Sequence, residues 1–338
     1  MPLPPESDAG GAAPVLVEVT RGDQVESRHR GSVVVVDAAG ADALALGDVD
    51  QPVLPRSAVK ALQALPLVAT GAADALRLGE RALALACASH NAEPEHVAGV
   101  EAMLAAAGLG ADDLACGAHW PYRQDQTIAL ARTGASPSPL HNNCSGKHAG
   151  FLAVARRLGT ATEGYTEPDH PVQQQARSAI EAACGVTLAP PAVDGCSAPT
   201  WPIPLRALAR GFARFGTGEG LLPEHGAAAE RLRAAVATEP FLVAGTGRFD
   251  TEVMDVTGGR AFVKTGAEGV YTAALPDLGL GVALKIDDGA TRASEVVMAT
   301  VLARYLPDID LASFVEPPVR SWRGVPVGRL RPAAALRP

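Results

Sequence analysis

Pro55-Arg56-Ser57-Ala58-Val59-Lys60 opens the first helical stretch of this chain, and far downstream Lys264-Thr265-Gly266 closes a run of strand character. Ser57 and Lys60 are three apart, so at a helix start a hydroxyl and an amine share one face. The 338-residue sequence holds only four lysines against 25 arginines, and three of the four fall in short motifs: Ser57-x-x-Lys60, Cys144-Ser-Gly-Lys147 and Lys264-Thr-Gly266. Arginine replaces a solvated lysine on a surface, but it cannot lose its proton to act as base or ligand. The surviving lysines therefore mark places where a neutral amine is useful.

Working outward from that helix, positions 15–20 and 32–37 read as Val-rich strands joined by a polar connection over 21–31, a hairpin with a long loop. Ser57 is an N-cap or first-turn residue of a helix whose apolar stripe of Val59, Leu62 and Leu65 ends at Pro66. Helices are expected at 79–88, from Pro94 to position 108, and at 147–158, 170–184, 204–215 and 225–237. Strands return at 261–264, 270–275 and 281–286, followed by a helix over 290–305 and a last strand over 325–330. Strands at both ends with helices between predict an α+β fold whose terminal segments share one antiparallel sheet. The expected organisation is a disordered leader over 1–14 and a single domain over 15–332.

Ser57-x-x-Lys60, Ser89-His-Asn91 and Lys264-Thr-Gly266 occur in the order found in serine β-lactamases and penicillin-binding proteins. There the first serine is the nucleophile, the second relays protons and the glycine-ended lysine strand lines the cleft. Each triplet has a plain structural reading as well: a capped helix, a helix end, a strand running into a turn. Their order and local context favour an active site.

A second constellation joins His141-Asn-Asn-Cys144-Ser-Gly-Lys147-His148 to Asp194-Gly-Cys196. A Cys-x-x-Lys step and an Asp-x-Cys step have the shape of two ligand pairs converging on one ion, and thiolates suit zinc. Lysine is an abnormal ligand, and two buried cysteines beside a solvated Lys147 are the plain alternative. His141 and His148 are spare candidates. A phosphate-loop reading fails, because the upstream glycine is missing and His148 stands where Ser or Thr would hold magnesium.

Bulk properties exclude other classes. A formal charge of −8 and aromatic content of 4% offer neither a basic stripe nor stacking platforms for nucleic acid. No apolar stretch reaches the length of a membrane helix, and the N-terminus lacks signal-peptide character, so the expected address is cytoplasmic. Five cysteines, an odd number, argue against a closed disulfide framework.

These segments together resemble the asparaginase family first described from rhizobia, the asparaginase II family. The resemblance runs through Arg28-His-Arg-Gly-Ser-Val-Val-Val, Pro55-Arg-Ser-Ala-Val-Lys60, Ser89-His-Asn91, the 141–150 block, Val193-Asp-Gly-Cys196, Gly245-Thr-Gly-Arg-Phe-Asp-Thr251, Lys264-Thr-Gly-Ala-Glu-Gly269 and Ala283-Leu-Lys-Ile-Asp-Asp-Gly289. It implies the serine β-lactamase/penicillin-binding/glutaminase-like fold and hydrolysis of L-asparagine to L-aspartate and ammonia. It makes Ser57 the nucleophile, Lys60 its base, and Ser89 with Lys264 a second Ser-Lys pair. Arg56, Asn91 and Asp194 would meet the substrate, and Cys144, Lys147 and Cys196 would bind zinc, with Asp194 beside it. The resemblance also implies a homodimer. Two other readings stand beside it: a β-lactamase or penicillin-binding-type hydrolase, and a non-catalytic zinc- or amino-acid-binding module. Lys285, the fourth lysine, is expected to pair with Asp287 or Asp288.

Overall fold

The structure, a computed structural model, describes residues 13–337. The leader expected over 1–14 lies outside the described residues except for its last two. Eight strands form one antiparallel sheet. Its order is Pro318–Arg320, Pro326–Pro332, Val15–Arg21, Gln24–Asp37, Leu280–Ile286, Val270–Leu275 and Phe262–Thr265, with Asp42–Leu46 as a further partner of Gln24–Asp37. The two chain ends meet directly, with Val17 opposite Pro332 and Val19 opposite Leu330. The fold is thus the α+β arrangement expected, with the helical middle inserted between sheet segments.

The amino-terminal hairpin corrects the sequence reading. The polar stretch 24–31 is strand, and the turn is only Gly22-Asp23, with Arg21 opposite Gln24. Charged residues there alternate with Val25, Ser27 and His29 on a half-exposed ribbon, a pattern that resembles a loop when only apolar runs are counted. The long strand Gln24–Asp37 then becomes fully buried from Gly31 to Val36, where Leu280–Ile286 pairs along it.

The helix Lys60–Ala69 runs through Pro66 rather than ending there. Leu62, Leu65, Leu67 and Val68 are all buried around it, and that apolar burial outweighs the one backbone bond proline removes. Thr70 closes the end, donating its N–H and Oγ1 to the Pro66 carbonyl at 3.1 and 2.7 Å. Ahead of this helix, residues Arg56–Val59 form a 3₁₀ turn, and Ser57 is its second residue with no capping role. The sequence reading leaves unmarked the strands Asp42–Leu46 and Pro318–Arg320 and the helix Gln124–Arg132.

All six residues of Val270–Leu275 are buried, and the helices Leu205–Thr217 and Thr291–Tyr305 both pack on that strand. Tyr271 and Thr272 point to opposite faces, as successive strand residues must. Thr272 Oγ1 donates to the Ala58 carbonyl at 2.9 Å, while the Tyr271 hydroxyl donates to Asp250 Oδ1 at 2.5 Å. Lys264 lies opposite Thr272 in register and shares its face. The strand Phe262–Thr265 is the sheet edge, and it presents Lys264 to the turn that carries Ser57. No helix among the described residues is long and apolar enough to cross a membrane.

Candidate active site

The Ser57 turn is seated against the Lys264-Thr-Gly266 strand end by close backbone contact. A Cβ on Gly266 would lie 2.6 Å from the Pro55 carbonyl oxygen and 3.1 Å from the Ala58 nitrogen, so only glycine lets the two backbones approach this far. Arg56, immediately before Ser57, has φ of 51°, a left-handed conformation costly for a side-chain-bearing residue. Its guanidinium is held at 2.7 Å by the Asp194 carboxylate. The strained residue therefore presents the serine at the tip of the turn and is fixed from the far side by the Asp194 loop.

Ser57 and Ser89 differ in access. Ser57 is partly exposed, and among the described residues its hydroxyl has no hydrogen-bond partner. Ser89 is 3% exposed and is held between two amines. Lys60 Nζ donates to Ser89 Oγ at 2.9 Å and to the Ala88 carbonyl at 2.5 Å. Lys264 Nζ donates to the same Ser89 Oγ at 2.9 Å and to the Thr265 carbonyl at 2.9 Å. Both lysines are fully buried. Lys60, Ser89 and Lys264 are thus one hydrogen-bonded array, with Lys60 on Ser89 rather than on its helix neighbour Ser57, whose hydroxyl stands outside it.

Burial pushes the Lys264 amine down to about 7, Asp250 partly opposes that shift, and the positive charges of Lys60 and Arg248 reinforce it. An amine that gives up its proton near neutrality suits proton transfer. Asp250 stands behind the strand at 1% exposure, where its Oδ1 accepts from the Thr265 N–H at 3.0 Å and from Tyr271.

The Ser89-His90-Asn91 segment is pinned by backbone bonds from the Ser89 and Asn91 N–H groups to the Val243 and Ala244 carbonyls, and from His90 N–H to Asn143. Asn91 is 1% exposed and its amide is committed to protein. Its Nδ2 donates to the Thr246 carbonyl at 3.2 Å, and its Oδ1 accepts from Arg248 Nη1 at 3.0 Å. In that geometry Asn91, expected to meet substrate, also braces the loop that carries Arg248. Sequence reasoning passed over Arg248 and Asp250, although the 245–251 block contained both.

The second constellation also assembles. Cys144, Lys147 and Cys196 are each at most 5% exposed, and Lys147 Nζ donates to Cys196 Sγ at 3.2 Å. Hydrogen bonding from Cys144 holds the Cys196 thiol down at about 4, against burial and aided by the Lys147 charge, while the same bond and burial push Cys144 up to about 12. Burial works against the Lys147 charge, but the Cys196 and Cys144 sulfurs and Asp194 outweigh it and raise its proton affinity. The sulfurs and Asp194 thus favour a charged Lys147, and Cys144 and Lys147 favour a thiolate on Cys196. Among the described residues no three His, Cys, Asp or Glu side chains group as a metal site, so zinc would require Lys147 to serve as a ligand. Two converging sulfurs and an amine, buried beside the Asp194 carboxylate, fit zinc chemistry provided Lys147 gives up its proton.

The spare histidines are committed elsewhere on at least one nitrogen: His148 Nδ1 lies 2.7 Å from the Tyr165 hydroxyl, and His141 Nδ1 accepts from the Ser138 N–H at 3.1 Å. Lys285 donates to the Glu268 and Ile286 carbonyls at 2.7 and 2.5 Å, not to a carboxylate as expected.

Comparison with curated proteins finds no match. Among solved structures, the protein named Mglu is 16% identical with a TM-score of 0.38, covering 82% of this chain and 67% of its own. A β-lactamase from Mycobacterium bovis is 16% identical with a TM-score of 0.39, covering 81% and 94%. The simvastatin synthase LovD from Aspergillus terreus is 12% identical with a TM-score of 0.38, covering 78% and 90%. The family model described as L-asparaginase II matches residues 17–332. That span contains both lysine-centred clusters and nearly all of the sheet, and the chain belongs to the L-asparaginase II family.

Proposed function

We propose that this protein hydrolyses L-asparagine to L-aspartate and ammonia through an acyl-enzyme on Ser57. The observation that carries the reading is the contrast between an accessible Ser57 and a buried Ser89 bonded to two lysines. A nucleophile must meet substrate, whereas a relay needs only to touch its partners. Lys60, one turn after Ser57, takes the Ser57 proton as it passes one of its own through the Ser89 hydroxyl to the neutral Lys264 amine. Ser57 Oγ attacks the side-chain amide carbon, ammonia leaves with a proton returned from the array, and water then releases aspartate by the same route reversed. The Ser57 backbone N–H belongs to the oxyanion site.

Cys144, Lys147 and Cys196 are the residues that would hold zinc, with Asp194 adjacent. Bound there it would supply a fixed positive charge that orients substrate, since the nucleophile is already a serine. Arg56 and Asp194 connect this cluster to the Ser57 turn and keep the two in fixed relation.

The test is ammonia release from L-asparagine by wild type and by Ser57→Ala and Ser89→Ala, each checked for folding by circular dichroism. Ser57→Ala should lose activity entirely; retained turnover would shift the nucleophile to Ser89. A chromogenic β-lactam run in parallel separates the reactions, and rapid β-lactam turnover with none on asparagine would replace this reading by the β-lactamase one. Asparagine binding without ammonia release would favour the non-catalytic module.

A further inference from the structure

Arg248 is a cation beside the buried serine that forms no ion pair, although Glu295 lies in its field. Among the described residues no carboxylate lies within ion-pair distance of its guanidinium. Arg56, the arginine beside the other serine, is bound to Asp194 at 2.7 Å. The contacts of Arg248 go to neutral oxygens through Nη1 alone, at 3.0 Å to Asn91 Oδ1 and 3.4 Å to the Ser89 carbonyl. A guanidinium has five N–H donors in a planar fork, so Nε and Nη2 remain for a ligand.

The loop before it is built to deliver this side chain. Gly245 has φ of 110°, and a Cβ there would lie 2.5 Å from Glu93 Oε1 and 2.9 Å from Asn91 Nδ2. Glu93 in turn accepts from the Thr246 N–H and Oγ1, both at 2.8 Å. The loop is thereby clamped onto the Ser89–Asn91 segment, and Arg248 follows as the residue preceding the helix Phe249–Thr257. Across the site, Arg123 donates to the Thr246 carbonyl at 2.5 Å, and His119, stacked on Tyr122 with ring centroids 4.7 Å apart, accepts from the Asn143 N–H at 3.0 Å. The segment bearing Tyr122 is therefore tied down beside both Asn91 and Cys144. The Tyr122 phenol, which burial raises above its ordinary value, feels the charges of both Arg248 and Arg56. Arg56 and Arg248 thus stand within electrostatic reach of one side chain, and among the described residues only Arg56 of the two is in an ion pair.

We propose that Arg248 binds the α-carboxylate of the substrate and makes the site selective for a free amino acid over primary amides lacking that group. This rests on the reading of the site as an amidohydrolase, and it assigns Arg248 a binding and specificity role, not a step in proton transfer. A planar fork opposite a planar carboxylate gives two parallel charge-assisted hydrogen bonds, and lysine reproduces the charge without that geometry.

The experiment is calorimetric titration of L-aspartate and of β-alanine, which is aspartate without its α-carboxylate, into wild type, Arg248→Gln and Arg248→Lys. Wild type should prefer L-aspartate, Arg248→Gln should weaken L-aspartate by about 30-fold or more while moving β-alanine by less than about twofold, and Arg248→Lys should fall between. Equal wild-type affinity for the two ligands overturns the proposal, with no variant needed. Equal losses of both in folded Arg248→Gln overturn it too, because they mark a structural brace on Ser89 and Asn91. A protein that releases no ammonia from asparagine yet binds L-aspartate in this Arg248-dependent way would end the hydrolase reading and leave the carboxylate site standing. Ammonia release with an unchanged KM in Arg248→Gln would do the reverse.

Discussion

Two buried lysines, Lys264 and Lys147, are 0% and 3% exposed, yet their surroundings drive their proton affinities in opposite directions. Lys264 touches a hydroxyl and a carbonyl oxygen, and its nearest charges include the cations Lys60 and Arg248, so burial prevails and the amine falls to about 7. Lys147 touches the Cys196 sulfur and lies in the field of Cys144 and Asp194, so its charge is retained despite equal burial. Depth alone therefore does not determine what a buried lysine does; the charge of what it touches does. One cluster is equipped to move protons, the other to hold a charge or exchange it for a metal ion.

The comparison breaks most decisively at Lys264. Lys264→Arg keeps a cation that cannot be deprotonated, and ammonia release should fall by about 10²–10⁴-fold. Wild-type kcat/KM should rise through about pH 7 as this amine loses its proton. A variant with near-normal turnover would remove Lys264 from proton transfer.

The thiolate cluster should respond differently. Cys196→Ser should lower zinc affinity by more than the roughly 10–100-fold typical of losing a partner behind a ligand, and we expect KM for asparagine to change more than kcat. Metal analysis of purified wild type and variant checks this, and equal zinc content in the two would end the assignment of Cys196 as a ligand.

Stability against pH tests the lysine contrast without activity. Because the folded value of Lys264 lies below its ordinary 10.5, the native state binds fewer protons than the unfolded chain between about pH 7 and 10.5. Stability should therefore climb with pH across that window, and Lys264→Met should flatten the slope in urea unfolding. An unchanged slope would mean that Lys264 is not depressed.

The smallest effect is expected at the link between the clusters. The Arg56 and Asp194 side chains are 26% and 12% exposed, so Asp194→Asn should cost about 1–3 kcal/mol in denaturant unfolding, less than a fully buried pair. A shift in KM alongside that loss would show that the link also sets the relative position of the two clusters.

Much of this molecule could be read from residue order. The antiparallel sheet from both ends, the strand 270–275 and the helix beginning at Pro94 follow from local patterns of apolar residues, glycine and proline. The amino-terminal hairpin and the passage of a helix through Pro66 do not, because sheet pairing and core burial overrode the local signals of polarity and proline. The residues proposed as nucleophile, base and metal ligand stand out by type, since few side chains can serve as nucleophile, base or soft ligand. Arg248 and Asp250 do not, because arginine and aspartate are common on any surface and only their surroundings mark them.

The sequence by itself determined which groups are available: four lysines, three of them beside serine, cysteine or glycine in motifs that need a deprotonable amine. Only the tertiary structure decided how they are joined. Residue spacing pairs Lys60 with Ser57, but the folded chain brings Lys60 and Lys264 together on Ser89, across 29 and 175 positions of sequence. Proton affinity depends on what lies within a few ångströms in space, and contacts so distant along the chain are settled by sheet register and helix packing.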